Sequence, residues 1–145
     1  MCLAMYLFTE NIIEETEWNE KKRKIFIEDI TKNENGKDNN VINWNENNKK
    51  IYYIGSYLGC GCGWRSPKYG SINMDDEKKR EELEYKVNDR NDLFQLLTSK
   101  NFKGSFIIVC WEGEQGNEIK QTLKLNIENI KNIDYDFEEL VKYTL

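Results

Sequence analysis

Two cysteines alternate with three glycines in one short stretch of the chain. Residues 59–63 have the sequence Gly-Cys-Gly-Cys-Gly, and an aromatic residue follows at Trp64. Thiolates are ligands for soft metal ions and nucleophiles in redox chemistry. The glycines allow positive φ angles and let another group approach the backbone closely. Residues 57–64, which we name the Cys-Gly turn, are therefore the first place to look for a functional site.

The chain has four cysteines, and together they are its candidate metal ligands. Cys60 and Cys62 belong to the turn, whereas Cys2 and Cys110 lie far from it in sequence. A structural zinc site takes four ligands, which these cysteines would supply without any histidine. Zinc motifs commonly pair cysteines as C-x₂-C, whereas this turn has C-x-C. The sequence thus allows a site for zinc or another soft metal, but the spacing gives it weak support.

Three other roles for these residues stay open. Cys60 and Cys62 would form a strained, easily reduced disulfide in a thiol-disulfide redox enzyme, although the neighbouring sequence offers few cations to lower a thiol pKa. Removal of Met1 would turn Cys2 into an N-terminal nucleophile. Cysteine and glycine also serve as small packing residues in crowded regions, so a purely structural turn is the simplest interpretation.

Aromatic and acidic residues adjoin two of the cysteines and are candidate binding residues. Trp64 follows the turn, and Trp111 and Glu112 follow Cys110. A carboxylate directly after a buried strand is a common position for a site in a sheet protein. These residues also have an interpretation without any ligand, in which the tryptophans pack in the core and Glu112 lies in a solvated turn.

Composition excludes several classes of function. The chain of 145 residues contains no histidine, which removes imidazole bases and every histidine-containing metal site. Its formal net charge of -5 argues against a nucleic-acid partner. The apolar start over residues 1–8 is too short to span a membrane and lacks the pattern of a signal peptide. We therefore predict a cytoplasmic protein with reduced thiols, and the many Asn, Lys and Ile residues suggest a bacterial source.

The elements that must position these residues are predominantly strands. Apolar and β-branched runs predict strands over 2–9, 24–30, 50–57 and 105–111, and alternation predicts one more within 118–127. The strand over 50–57 leads directly into the Cys-Gly turn. The strand over 105–111 is the most apolar and is expected to be central.

Helices are predicted in two regions. First-turn acids begin a helix at Asp75, which is expected to break near residues 88–91, with Asn91 capping a second helix. A last helix is predicted over 136–143. The chain is therefore expected to be a single α+β domain over 1–145, with a mixed sheet of about five strands and two or three helices. The polar excursion over 31–50 is expected to be mobile.

Three segments together resemble a family of small uncharacterised bacterial proteins. They are the opening Met-Cys-Leu-Ala, the Gly-Ser-x-x-Gly-Cys-Gly-Cys-Gly pattern over 55–63 with its following aromatic, and Cys-Trp-Glu-Gly over 110–113. The resemblance covers residues 2–113, and the Cys-Gly turn is its most specific part. It implies a cytoplasmic bacterial domain and points to the same four cysteines, without implying an activity.

Overall fold

Six β-strands form one mixed sheet in the computed structural model, which describes residues 2–32, 39–69 and 75–145. The order across the sheet is β2-β3-β1-β4-β6-β5, and only β5 and β6 pair in parallel. The strands are β1 (Leu3–Thr9), β2 (Phe26–Asp29), β3 (Lys50–Gly55), β4 (Phe106–Trp111), β5 (Gln121–Lys124) and β6 (Val141–Thr144). The predicted α+β class with a mixed sheet agrees with this architecture, but the described chain has six strands rather than five.

The sheet has a core on each face because β1 and β4 lie at its centre and are buried on both sides. Residues alternate between faces along a strand. Leu3, Met5 and Leu7 of β1 pack on one face, while Ala4 and its alternate neighbours pack on the other. Two strands that are apolar on both faces explain why the runs over 2–9 and 105–111 are almost uninterrupted in sequence.

A long helix, α1 (Asp76–Thr98), covers the face that carries Leu3. Asp75 caps it, since its carboxylate accepts a hydrogen bond from the amide of Lys78 at 2.8 Å. The predicted break near 88–91 is wrong, because the helix continues through these residues. Asp89 and Arg90 are polar yet buried, and their partners lie elsewhere in the chain.

The predicted C-terminal helix over 136–143 is also wrong. Its second half forms β6, which pairs with both β4 and β5. Leu140 has a φ of 57°, a left-handed conformation that is incompatible with a continuous helix. Val141 and Tyr143 then alternate in burial with Lys142 and Thr144, as expected for a strand.

The polar excursion over 31–50 is described only in part, since residues 33–38 lie outside the described residues. Residues 39–44 form a 3₁₀ helix whose Val41 and Trp44 are buried against the second face of the sheet. Trp44 also donates from Nε1 to the carbonyl of Asn117 at 2.7 Å. Met1 is likewise outside the described residues, so the N-terminal nucleophile stays a prediction.

Across the described ranges, the structure contains no helix whose length and apolar content would let it cross a membrane.

Candidate metal centre

Three thiols converge beside the first residues of β1. The sulfurs of Cys2, Cys60 and Cys62 all lie within 4.8 Å of one another, and we name these residues the thiol cluster. Each of the three is half-buried. All four cysteines of the chain are within the described residues, and no disulfide joins any of them. Such a group could hold a metal ion.

The close approach of the turn to β1 depends on Gly61. A Cβ atom at this position would lie 2.3 Å from the carbonyl oxygen of Leu3 and 3.1 Å from the Cα of Ala4. Backbone atoms cannot move aside as a flexible side chain does, so any larger residue would push the turn away from β1. Gly61 therefore brings the cysteines on either side of it within reach of Cys2.

Ser56 shapes the turn from inside. Its amide and its hydroxyl both donate to the carbonyl of Cys60, at 2.8 and 2.6 Å. The Ser56 Oγ also accepts a hydrogen bond from the amide of Gly63 at 3.1 Å. Gly59 completes the bend with a φ of +78°, which an L-residue rarely adopts. These contacts fix the turn by hydrogen bonds that involve no thiol.

Two buried cations of α1 bind the carbonyl groups on the far side of the turn. Lys86 donates from Nζ to the carbonyls of Gly63 and Arg65, at 3.2 and 2.9 Å. Arg90 donates from Nη2 to the carbonyl of Trp64 at 2.8 Å. Burial lowers the pKa of Lys86 and lowers the pKa of Arg90 to about 10. Hydrogen bonds to the backbone oxygens offset the cost of burying these two cations.

Asp89, on the same helix face, holds the start of the turn. Its Oδ2 accepts a hydrogen bond from the amide of Tyr57 at 2.8 Å, while its Oδ1 is buried without a hydrogen-bond partner. Burial is the main cause that raises the pKa of Asp89 to about 7, and the charge of Asp92 adds to the effect. The hydrogen bond from Tyr57 and the charges of Lys86 and Arg90 oppose it.

The thiols of Cys2 and Cys60 resist ionisation as long as no cation replaces their protons. The Cys62 sulfur, through its hydrogen bond and its charge, raises the pKa of Cys2, and burial and the charge of Glu112 add to this. Burial raises the pKa of Cys60 to about 12, with the sulfurs of Cys62 and Cys2 contributing. Three thiolates so close together repel one another, and a bound cation would remove that repulsion.

Cys110 does not belong to the thiol cluster. It lies on β4 opposite Ala4 and is fully buried on the second face of the sheet, among aromatic and aliphatic side chains. Strand alternation turns it away from the face that carries Leu3 and Trp111. The sequence-based set of four ligands is therefore reduced to a structural group of three.

The three candidate binding residues lie around the cluster in different environments. Trp64 is buried in the core and donates to the carbonyl of Ile54 at 3.0 Å. Trp111 is half-exposed, with the Arg65 guanidinium 5.0 Å from its ring centroid. The exposed Glu112 donates its amide to the carbonyl of Cys2 at 2.7 Å. Both tryptophans line a cavity of about 330 Å³, whose walls also include Leu3, Arg65, Asp136 and Glu139.

Sequence reasoning missed the residues that hold the turn in place, namely Ser56, Lys86, Asp89 and Arg90. The three charged residues follow the helical spacing of Leu93 and Leu97, which are buried on α1. This spacing could have identified the three residues from the sequence, because a charged residue in register with an apolar helix face has a buried partner.

Comparisons of the sequence with protein families and with curated proteins, and of the structure with solved structures, found no match. The interpretation of the site therefore depends on its own geometry and chemistry.

Proposed function

We propose that this protein binds a soft metal ion through Cys2, Cys60 and Cys62. The observation that carries the proposal is the mutual distance of the three sulfurs, each within 4.8 Å of the others. Around an ion with metal-sulfur bonds of about 2.3 Å, ligand sulfurs are roughly 3.8 to 4.0 Å apart. Sulfurs up to 4.8 Å apart would need to approach one another by at most about 1 Å to reach this separation, which rotation of the cysteine side chains would provide.

Electrostatics supports a cation at this position. Neighbouring sulfurs raise the pKa of Cys2, and burial together with these sulfurs raises the pKa of Cys60. A metal ion replaces the thiol protons and offsets the repulsion between thiolates. We therefore expect binding to release protons and to strengthen as the pH rises.

The surroundings of the cluster suit a site that is open on one side. Glu112 adds negative charge beside Cys2, and its pairing with the Cys2 carbonyl fixes the chain at that end. Trp64 and Trp111 line a cavity that also includes Leu3, the residue after Cys2. A bacterial cytoplasm, as the sequence predicts, would keep the thiols reduced and available.

Metal analysis of protein purified without chelator tests the proposal. We expect about one soft metal ion per chain, and no stoichiometric metal in Cys2→Ser, Cys60→Ser or Cys62→Ser. Cys110→Ala is the matched control and should keep the ion, because Cys110 faces the other core. Absence of metal from the wild-type protein, together with no uptake of added Zn(II) or Cu(I), would refute the function.

A thiol-disulfide redox enzyme is the second candidate, and the proximity of the sulfurs favours it equally. The thiol pKa values argue against it, because reactive cysteines have a lowered pKa whereas those of Cys2 and Cys60 are raised. Thiol titration after mild oxidation distinguishes the two candidates. Loss of two thiols in wild type but not in Cys62→Ser would support the redox enzyme.

A further inference from the structure

We infer that the thiol cluster holds a three-coordinate, exchangeable Cu(I) ion that a thiol-bearing carrier supplies and removes. The inference rests on the proposed metal function and deepens it by naming the ion and the partner. It follows from the number of donors, from the occupation of the nearby backbone oxygens, and from the way the turn is held.

Among the described residues, the donor set contains three sulfurs and no fourth His, Cys, Asp or Glu side chain. Within the ranges 2–32, 39–69 and 75–145, no further Cys, Asp or Glu joins the group, and the sequence has no histidine. A structural zinc site is completed by four protein ligands. A set of three thiolates leaves Zn(II) dependent on an outside ligand, whereas Cu(I) is soft and stable with three sulfurs.

The carbonyl oxygens of the cysteines are already occupied by hydrogen-bond donors. The Cys2 carbonyl accepts from the amide of Glu112, the Cys60 carbonyl from Ser56, and the Cys62 carbonyl from the amide of Arg65. Each would lose a hydrogen bond if it turned toward an ion. The backbone therefore does not supply the missing fourth ligand.

The turn is built without metal. Ser56 holds it from inside, and Lys86, Asp89 and Arg90 bind its backbone from α1. A structural ion usually provides the folding energy of its own loop, so that removing it unfolds the site. Here the hydrogen bonds provide that order, and the ion is free to leave without loss of the fold.

Half-buried thiols leave one side of the ion accessible to another thiol. In each exchange step a carrier thiolate forms a bond to Cu(I) while one bond from the ion to a cysteine breaks. The released cysteine takes up the proton that the carrier thiol lost, and copper stays monovalent throughout. Three such steps transfer the ion from the protein to carrier thiols, and the same steps in reverse load the protein.

Loading the reduced protein anaerobically with the Cu(I) complex of glutathione tests this inference. X-ray absorption should show one Cu(I) per chain with three sulfurs, and a Zn(II)-loaded sample should show three sulfurs with one oxygen or nitrogen. The metal-free protein should keep its circular-dichroism spectrum and its cooperative melting. Transfer to a Cu(I) chelator should accelerate as glutathione is added.

Further outcomes distinguish the exchangeable copper site from the more general proposal that the protein binds a metal. Cys60→Ser should fail to hold stoichiometric Cu(I), whereas Cys110→Ala should hold one Cu(I) bound to three sulfurs. Zinc held by four protein ligands, or unfolding on metal removal, would overturn the exchangeable copper site and leave the metal function standing. Transfer that is independent of glutathione would overturn the thiol carrier. Failure to bind either metal would refute both.

Discussion

The thiol cluster and Cys110 show how one residue type takes two roles on opposite faces of a sheet. Cys2, Cys60 and Cys62 are half-buried, and the last two belong to a turn that polar contacts hold. Cys110 is fully buried in an apolar and aromatic core. The difference teaches that surroundings, rather than the count of cysteines, decide which thiols can act together. Polar side chains order the first region, whereas apolar and aromatic packing dominates the second.

The strongest test of this difference removes Arg90, one of the two cations that hold the turn. Arg90→Met should lower the free energy of unfolding by about 3 to 5 kcal/mol, because it leaves buried carbonyl groups without their charged donor. Four carbonyls lose a partner, those of Trp64, Ile130, Asn132 and Tyr135. Urea denaturation measures the change. Arg80→Met on the exposed face of the same helix is the control and should stay within about 0.5 kcal/mol.

A second test uses pH to separate the polar region from the apolar one. The folded-state pKa of Asp89 is raised to about 7, so the native state keeps a proton that the unfolded chain loses above about pH 4. This contribution to stability is full at low pH and is lost as the pH rises through 7. Between pH 5 and 7.5 the wild type should therefore lose roughly 2 to 3 kcal/mol that Asp89→Asn does not lose.

Charges around Asp89 do not change the direction of this effect. Asp92 raises its pKa further, whereas Lys86, Arg90 and the amide of Tyr57 lower it. Glu84→Gln, at an exposed position of α1, is the control and should follow the wild-type pH profile. Identical profiles for Asp89→Asn and wild type would show that Asp89 is ionised in the native state throughout.

A third test pushes the turn away from β1. Gly61→Ala places a Cβ against the Leu3 carbonyl and should cost about 1 to 3 kcal/mol, as overpacking does. It should also weaken metal binding, because the turn cysteines move away from Cys2. Gly104→Ala is the matched control: its Cβ has open space and only its φ of +84° opposes it. It should cost about 1 kcal/mol and leave metal binding unchanged.

The test with the smallest expected effect on stability removes one cysteine from each of the two environments. Cys110→Ala should cost about 1 kcal/mol of stability, since it removes a buried sulfur from a packed core, and should keep the metal. Cys62→Ala should lose the metal but change the stability of the metal-free protein by less than about 0.5 kcal/mol. Thermal melting with and without metal measures both. Equal losses of metal in the two variants would show that Cys110 and the thiol cluster do not differ in metal binding.

The sequence predicted the central strands and the turn because these depend on local patterns. Runs over 2–9, 50–57 and 105–111 contain strands β1, β3 and β4, and the alternating glycines indicated a close approach of the backbone. It did not predict which cysteines converge. That depends on strand alternation at Cys110 and on the contact of Gly61 with β1, which join residues far apart in the chain.

The two helix errors have the same physical origin. Residues 88–91 indicated a break because polar residues seldom lie inside a helix that packs on a core, yet Asp89 and Arg90 bind backbone groups of the turn. Residues 136–143 have helix-like spacing, but β6 gains backbone pairs on both of its edges. In both segments tertiary partners outweigh local propensity.

The position of β1 between β3 and β4 also determines when the thiol cluster is completed during biosynthesis. The carbonyl of Cys2 pairs with the amide of Glu112, which lies far later in the chain. The sheet around β1 closes only after β4, Phe106–Trp111, has been synthesised. The three thiols therefore reach their final arrangement only after the chain has been synthesised as far as Glu112.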